Sequence, residues 1–207
     1  SILNHSTKKF NFHEKKPNSL AINFKEDKSN IFIKNLEIAS HVVNDIFNDS
    51  NFPDLNGDLL INCLESFKMP PGRGEILSLN KFKIIDDSYN ANPESVKAAL
   101  DHLSGFQECR KFFVFGDMKE LGANEEILHK KVGQYAVGKT DILLTVGKLA
   151  KNAQSNSNNF ALSLHFNDNF SLLEKLNELL TDGDIVLIKG SRSMQLDQLI
   201  NELKNVK

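Results

Sequence analysis

Three polar clusters carry the chemistry legible in this sequence, and each one follows a short apolar run. The first is Asp86-Asp87-Ser88-Tyr89-Asn90-Ala91-Asn92-Pro93. Pro93 suits the first turn of a helix and Asn92 suits its N-cap. A turn from strand to helix therefore accounts for those two residues. It leaves two adjacent carboxylates and a Tyr-Asn pair unexplained, and a carboxylate at such a strand end can accept both hydroxyls of a ribose. The second cluster is Gly116-Asp117-Met118-Lys119-Glu120-Leu121-Gly122, a charged loop between two glycines that permit tight turns. Glu125 and Glu126 follow it, where they favour a helix start. By itself this loop is as readily structural as functional. The third is Lys189-Gly190-Ser191-Arg192-Ser193. A lysine, a hydroxyl and an arginine at a helix start form an anion site, and Arg192 can clamp a carboxylate through two parallel hydrogen bonds. The plainer alternative is a surface loop with basic residues.

A fourth string invites a nucleotide reading that its context opposes. Gly133-Gln134-Tyr135-Ala136-Val137-Gly138-Lys139-Thr140 fits the phosphate-loop pattern G-x-x-x-x-G-K-[ST]. A working phosphate loop follows a strand and opens a helix. Here residues 124–137 form a helical run with Val132, Tyr135 and Ala136 on its core face, and a strand begins after Thr140. Gly138 fits the left-handed position that ends a helix.

The three clusters need elements that bring them to one place. From residue 75 onward the chain alternates apolar runs with amphipathic ones. The runs 75–79 and 82–86 read as a hairpin around Asn80-Lys81. Strands are expected at 111–115, 142–146, 160–164 and 184–188, and helices at 93–104, 124–137, 148–154, 169–180 and 194–204. Such spacing implies right-handed crossovers between parallel strands covered on both faces. The expected fold is a three-layer, Rossmann-like α/β domain with about five parallel strands and one antiparallel strand. Ligands of such sheets sit at the carboxyl ends of the strands, where all three clusters fall. Ahead of this domain, residues 1–35 hold short apolar runs such as Leu20-Ala21-Ile22 and Ile31-Phe32-Ile33. Helices are expected over 36–47 and over 57–68, the latter with Asp58 as N-cap. Pro70-Pro71-Gly72 then breaks the chain at a natural hinge.

Bulk composition narrows the classes. The chain has 207 residues and a formal net charge of −2, which gives no electrostatic case for nucleic acid. Its 40% hydrophobic content is enough for a packed core, yet no apolar run is long enough to span a membrane. Cys63 and Cys109 lie in apolar runs and read as buried free thiols, which fits a reducing, cytoplasmic setting. Ser1–Phe12 carry no signal-peptide pattern and read as mid-protein sequence, so a longer protein is expected.

Four strings together resemble one family: GRGEI at 72–76, IIDDSYNANPESVKAAL at 84–100, FGDMKELG at 115–122 and VLIKGSRSMQLDQLI at 186–200. In order and spacing they are similar to the MurF family of the Mur ligase superfamily, the UDP-N-acetylmuramoyl-tripeptide–D-alanyl-D-alanine ligases. The D-D-S-Y-N-A-N-P string is the most specific of the four. The resemblance implies that residues 1–71 are the carboxyl-terminal remnant of a central ATP-binding domain and that 72–207 are the family's third domain. It implies ATP with Mg²⁺, both held mainly by parts of the enzyme outside this chain, and no catalytic or metal-binding residue within it. Arg73, Asp87, Tyr89, Asn90 and Asn92 would face the nucleotide, with Asp87 on the ribose. Asp117, Lys189, Ser191 and Arg192 would face the substrate D-alanyl-D-alanine, with Arg192 on its carboxylate. UDP-N-acetylmuramoyl-tripeptide is the other implied substrate, the enzyme is expected to be a monomer, and the isolated chain is expected to be inactive. Another ligase of the superfamily, of tripeptide-synthetase or folylpolyglutamate type, and a stand-alone binding domain without catalysis are the alternatives.

Overall fold

A computed structural model of the chain describes residues 7–10, 20–23, 69–79 and 81–205, with isolated helical positions at 35, 38, 39, 62 and 66. The chain divides into two compact units, Ser1–Lys68 and Met69–Lys207, so the division falls just ahead of Pro70-Pro71-Gly72. In the first unit β1 (Thr7–Phe10) pairs antiparallel with β2 (Leu20–Asn23), in keeping with the strand expected near Leu20. The helices expected over 36–47 and 57–68, the run at Ile31, and Cys63 lie outside the described residues as elements.

The second unit is built on a six-stranded sheet. β3 (Glu75–Ser78) pairs antiparallel with β4 (Lys83–Asp87), which confirms the hairpin. The remaining strands are β5 (Lys111–Gly116), β6 (Ile142–Val146), β7 (Leu162–Phe166) and β8 (Ile185–Lys189). The order across the sheet is β3-β4-β8-β5-β6-β7, and every pair from β4 onward is parallel. This is the expected α/β fold, with five parallel strands and one antiparallel.

Alternation along the central strands assigns their side chains to two cores. Ile85, Phe113, Phe115, Leu143, Ile185 and Leu187 face one side. There they pack on Val96, Leu100 and Leu103 of α1 (Pro93–Ser104), on Val132 and Ala136 of α2 (Glu125–Ala136), and on Ala150 and Ala153 of a 3-10 helix (Ala150–Asn159). Ile84, Phe112, Val114, Leu144, Val186 and Ile188 face the other side. They meet Leu172 and Leu176 of α3 (Asn169–Leu179) and Leu196, Leu199, Ile200 and Leu203 of α4 (Leu196–Asn205). The three forward crossovers progress in one direction, so right-handedness puts their helices on one face. The return from β7 to β8 puts α3 on the other.

Local chemistry sets the helix ends. Asn92 caps α1 by accepting the Ser95 amide at 2.8 Å, and the Ser95 hydroxyl returns a bond to the Asn92 amide at 3.1 Å, completing a capping box. Asp168 caps α3 in the same manner, through the Ser171 amide at 2.8 Å. Within α2, Gly133 is required for space. A Cβ there would run into the carbonyl of Ala153, so the 3-10 helix packs directly on the helix backbone.

Two elements differ from expectation. The helix expected at 148–154 is a 3-10 helix over Ala150–Asn159 with a break at Asn156 (φ −121°), and the strand after it begins at Leu162. The run AQSNSNN is the cause, because Asn and Ser side chains compete with the helical backbone for its hydrogen bonds. The final helix begins at Leu196, after a short 3-10 turn (Arg192–Met194) and a left-handed Gln195 (φ 52°). Cys109 is a free thiol, half-buried where full burial was expected.

Candidate functional site at the carboxyl rim of the sheet

β4, β8 and β5 are neighbours, so the carboxyl ends that carry the three clusters lie side by side. The chain leaves β4 and β5 for helices on one face and leaves β8 for α4 on the other. Neighbouring strands whose connections part in this way open a crevice at their carboxyl ends.

At the end of β4 the two carboxylates have different environments. Asp86 is buried, and its Oδ1 accepts the Ser88 amide at 3.2 Å and the Ser88 hydroxyl at 2.6 Å. It therefore shapes the turn. Asp87 is partly open, its side chain 21% exposed, and its Oδ2 accepts the Lys189 ammonium at 2.6 Å. Its Oδ1 has no hydrogen-bond partner among the described residues. Burial pushes the Asp87 carboxyl above its ordinary value. The ammonium of Lys189 pulls it back, the Asp86 charge adds to the rise, and Arg73 opposes it.

Arg73 comes to the same place from the segment before β3. The Tyr89 amide donates to the Gly72 carbonyl at 2.9 Å, and the Gly74 amide donates to the Asp86 carbonyl at 2.7 Å. These bonds set the Arg73 guanidinium 4.1 Å from the centroid of the Tyr89 ring. That is a cation–π contact between two exposed side chains. The Asn90 side chain accepts the Ala91 amide at 2.8 Å, and its carbonyl accepts Lys189 at 3.0 Å. Asn92 is the helix cap already described.

The loop after β5 acts as a clamp. Asp117 is buried, and its Oδ1 accepts the amides of Leu149 at 2.9 Å and Ala150 at 2.8 Å. Those donors open the 3-10 helix, so the protein fills that anion-binding position with its own carboxylate. Lys119 holds Oδ2 at 2.9 Å. The Asp117 carbonyl accepts the Ser191 amide at 2.9 Å, and the Ser191 hydroxyl accepts the Lys119 amide at 2.8 Å. Gly147, on the β6 loop, must be glycine: its φ is +105°, and a Cβ would lie 2.5 Å from Asp117 Oδ1.

Of the third cluster, Lys189 and Ser191 are buried and engaged as just described. Arg192 projects outward, 63% exposed, and pairs with Asp197 at 2.9 Å. The structure thus gathers Arg73, Asp87, Tyr89, Lys189 and Asn90 through direct contacts, and joins Asp117 to Ser191. Arg192 stands beside them with a solvent-facing guanidinium. Asn92 caps its helix through a side chain already bonded.

One residue that matters here gave little signal in the sequence. His129 is fully buried in α2, where its Nε2 accepts the Met118 amide at 2.8 Å and its Nδ1 donates to the Glu125 carbonyl at 2.6 Å. It fixes the loop after β5 from behind. Burial holds its imidazole below the ordinary histidine value. The available clue was its inward spacing with Val132 and Ala136, hidden among the charges of EEILHKK.

The phosphate-loop lookalike belongs to the opposite rim, as its context required. Gly133–Ala136 are helical, and Ala136-Val137-Gly138-Lys139 is a turn closed by the Lys139 amide on the Ala136 carbonyl at 3.0 Å. Gly138 takes φ +75°, the value this turn demands. Lys139 pairs with Asp101 at 2.8 Å, and the Thr140 hydroxyl donates to the Lys111 carbonyl at 2.7 Å, at the amino end of β5.

Fold and rim together define a carboxyl-terminal ligase domain of the Mur type. Residues 72–192 match the family model described as "Mur ligase, glutamate ligase domain", and the chain belongs to the Mur ligase family. It is 35% identical over 149 residues to the UDP-N-acetylmuramoyl-tripeptide–D-alanyl-D-alanine ligase of Bacillus subtilis, covering 68% of this chain and 32% of that protein. It is 32% identical over 140 residues to the ligase of the same name from Rickettsia prowazekii, covering 67% of this chain and 31% of that protein. The chain therefore spans about a third of the length of these relatives. Among solved structures, the MurF ligase of Thermotoga maritima in complex with ADP superposes with a TM-score of 0.74 at 23% identity, over 90% of this chain and 40% of that one. That likeness concerns the fold.

Proposed function

We propose that this chain is the carboxyl-terminal part of an ATP-dependent ligase that joins D-alanyl-D-alanine to UDP-N-acetylmuramoyl-tripeptide. The observation that carries the reading is the rim where Asp87, held by Lys189, and the Arg73–Tyr89 stack lie at the end of β4, with Arg192 in the loop after the neighbouring β8. Family membership and the names of the curated relatives support it.

The rim fits a nucleotide. Asp87 keeps one carboxylate oxygen clear of its bond to Lys189, so it can accept ribose hydroxyls. Arg73 is an exposed cation that can neutralise phosphate charge. Mg²⁺ would accompany the nucleotide, and the family resemblance assigns it mainly to parts of the enzyme outside this chain. Residues 1–71 are read as the end of the central ATP-binding domain. When bound, ATP supplies the phosphoryl group that converts the precursor carboxylate to an acyl phosphate, from which the dipeptide amine displaces phosphate.

This chain's contribution is positioning. Asp87 orients the ribose, and Arg73 adds charge at the phosphates. Asn90 and Asn92 hold the loop between them, and Tyr89 supports Arg73. Arg192 receives the dipeptide carboxylate, exchanging Asp197 for it. The buried Asp117, Ser191 and Lys189 keep the three loops in register behind it.

The test is an assay of the intact ligase carrying this chain, following ADP release with UDP-N-acetylmuramoyl-tripeptide and, in turn, D-alanyl-D-alanine, glutamate or diaminopimelate. Turnover with the dipeptide alone is expected. Arg192→Ala is expected to raise the dipeptide KM about tenfold, the loss of one charge-assisted contact. Turnover with glutamate instead, or an unchanged dipeptide KM in Arg192→Ala, would overturn the substrate assignment.

A further inference from the structure

Lys189 is the buried cation of the rim. Its side chain is 2% exposed, yet its ammonium ends on two acceptors of a different crossover unit, Asp87 Oδ2 at 2.6 Å and the Asn90 carbonyl at 3.0 Å. A lysine buried to that degree costs free energy unless its charge and protons are met. Both acceptors lie in the loop after β4, 102 and 99 positions away in sequence, so the bond ties β8 to that loop. An ammonium with no access to solvent is poorly placed to meet a substrate itself. It is well placed to act through the residue it holds.

We propose that Lys189 is a positioning residue for nucleotide binding. Its ammonium fixes the Asp87 carboxylate and the Asn90 backbone so that Asp87 Oδ1 and the Arg73–Tyr89 stack face a nucleotide as one surface. The proposal rests on the reading of Asp87 as a nucleotide ligand.

Three features of the site agree. Asp87 is the last residue of β4 and Lys189 the last of β8, and the two stand in register as parallel partners. Their backbones cannot drift apart without breaking the sheet. Second, Oδ2 is occupied by Lys189 while Oδ1 has no partner among the described residues, so the bond selects which oxygen points outward. Third, the Lys189 ammonium is the main influence opposing the burial that raises the Asp87 carboxyl, with Arg73 helping and Asp86 adding to the rise. The ionised carboxylate is the stronger acceptor for the hydroxyls of a ribose. Lys189 thus fixes the direction of the group and favours its charged form.

The experiment uses the intact ligase that carries this chain, isotopically labelled, with ATP as the probe. Amide shifts are followed on adding ATP, and the Asp87 carboxyl carbon is titrated with pH. In the unsubstituted chain, ATP is expected to move the amides of Asp87, Ser88 and Tyr89. Lys189→Met removes both donors while keeping the length of the chain. It is expected to weaken ATP binding about fivefold to tenfold, as for one lost oriented hydrogen bond, and to move the Asp87 titration upward. A fold-wide effect would leave that titration unmoved relative to the other carboxyls. Should Lys189→Met not fold, Lys189→Gln, which retains a donor, is to show the same changes to a smaller degree. Unchanged ATP affinity in a folded Lys189 variant would overturn this proposal and leave the nucleotide reading standing. Rim amides that ignore ATP in the unsubstituted chain would overturn both.

Discussion

Replacing Asp117 by alanine should destabilise the domain more than any change of an exposed rim residue. Its carboxylate is 3% exposed and accepts two backbone amides, Leu149 at 2.9 Å and Ala150 at 2.8 Å, together with Lys119 at 2.9 Å. Truncation leaves the two buried amides without an acceptor, at about 1–3 kcal/mol each. The bond to Lys119, whose side chain is 45% exposed, adds little because solvent screens it. The expected loss is about 2–6 kcal/mol, and at about 2–4 °C per kcal/mol for a chain of this size the Tm falls by roughly 4–24 °C. Asp117→Asn keeps an acceptor and should cost about half as much. Urea unfolding gives the free energy, and hydrogen exchange at the Leu149 and Ala150 amides locates it. A stability change below about 0.5 kcal/mol for Asp117→Ala, with unaltered exchange at those amides, would refute the clamp.

Gly133→Ala should destabilise by about 1–3 kcal/mol in urea unfolding, because the new methyl group meets the backbone of Ala153, which cannot move as a side chain would. Lys139→Ala should leave ATP affinity unchanged by calorimetry, since that lysine sits in a turn at the opposite rim, paired with Asp101. Stability should fall as pH drops below about 6.5, because burial lowers the values of both His129 and His165. The unfolded chain then takes up protons that the folded one does not, so this stability is present above the ordinary histidine value and is lost below it. The limiting slope is about 1.4 kcal/mol per pH unit per histidine. Unfolding curves at several pH values should show a shallower slope in His129→Gln, and an equal slope in that variant would count against the burial argument.

The alternation of elements was legible because it depends on local pattern. Runs such as ILLTV and DIVLI are apolar on both faces, and only a covered parallel sheet accommodates them. β6 begins and ends where the pattern placed it, at Ile142 and Val146. Boundaries failed where side chains compete with backbone, as in the Asn- and Ser-rich 3-10 helix, or where a left-handed residue intervenes, as at Gln195. The placement of the three polar clusters at neighbouring strand ends was also legible, and ligands of such folds bind at that rim. Its internal contacts were not. Lys189 reads as an anion ligand until its partner, 102 residues away, is seen beside it. Asp117 reads as a rim acid until the amides 32 and 33 residues on are found against it. Pairings across crossovers are set by strand order, and β8 inserting between β4 and β5 is a property of the whole sheet.

Hydrogen exchange of the intact ligase carrying this chain, with and without millimolar ATP, tests the nucleotide-facing rim most directly. Peptides covering 72–76 and 86–92 should be protected by ATP, and those covering 133–140 should exchange as before. Protection confined to 133–140, with none at 86–92, would contradict the account.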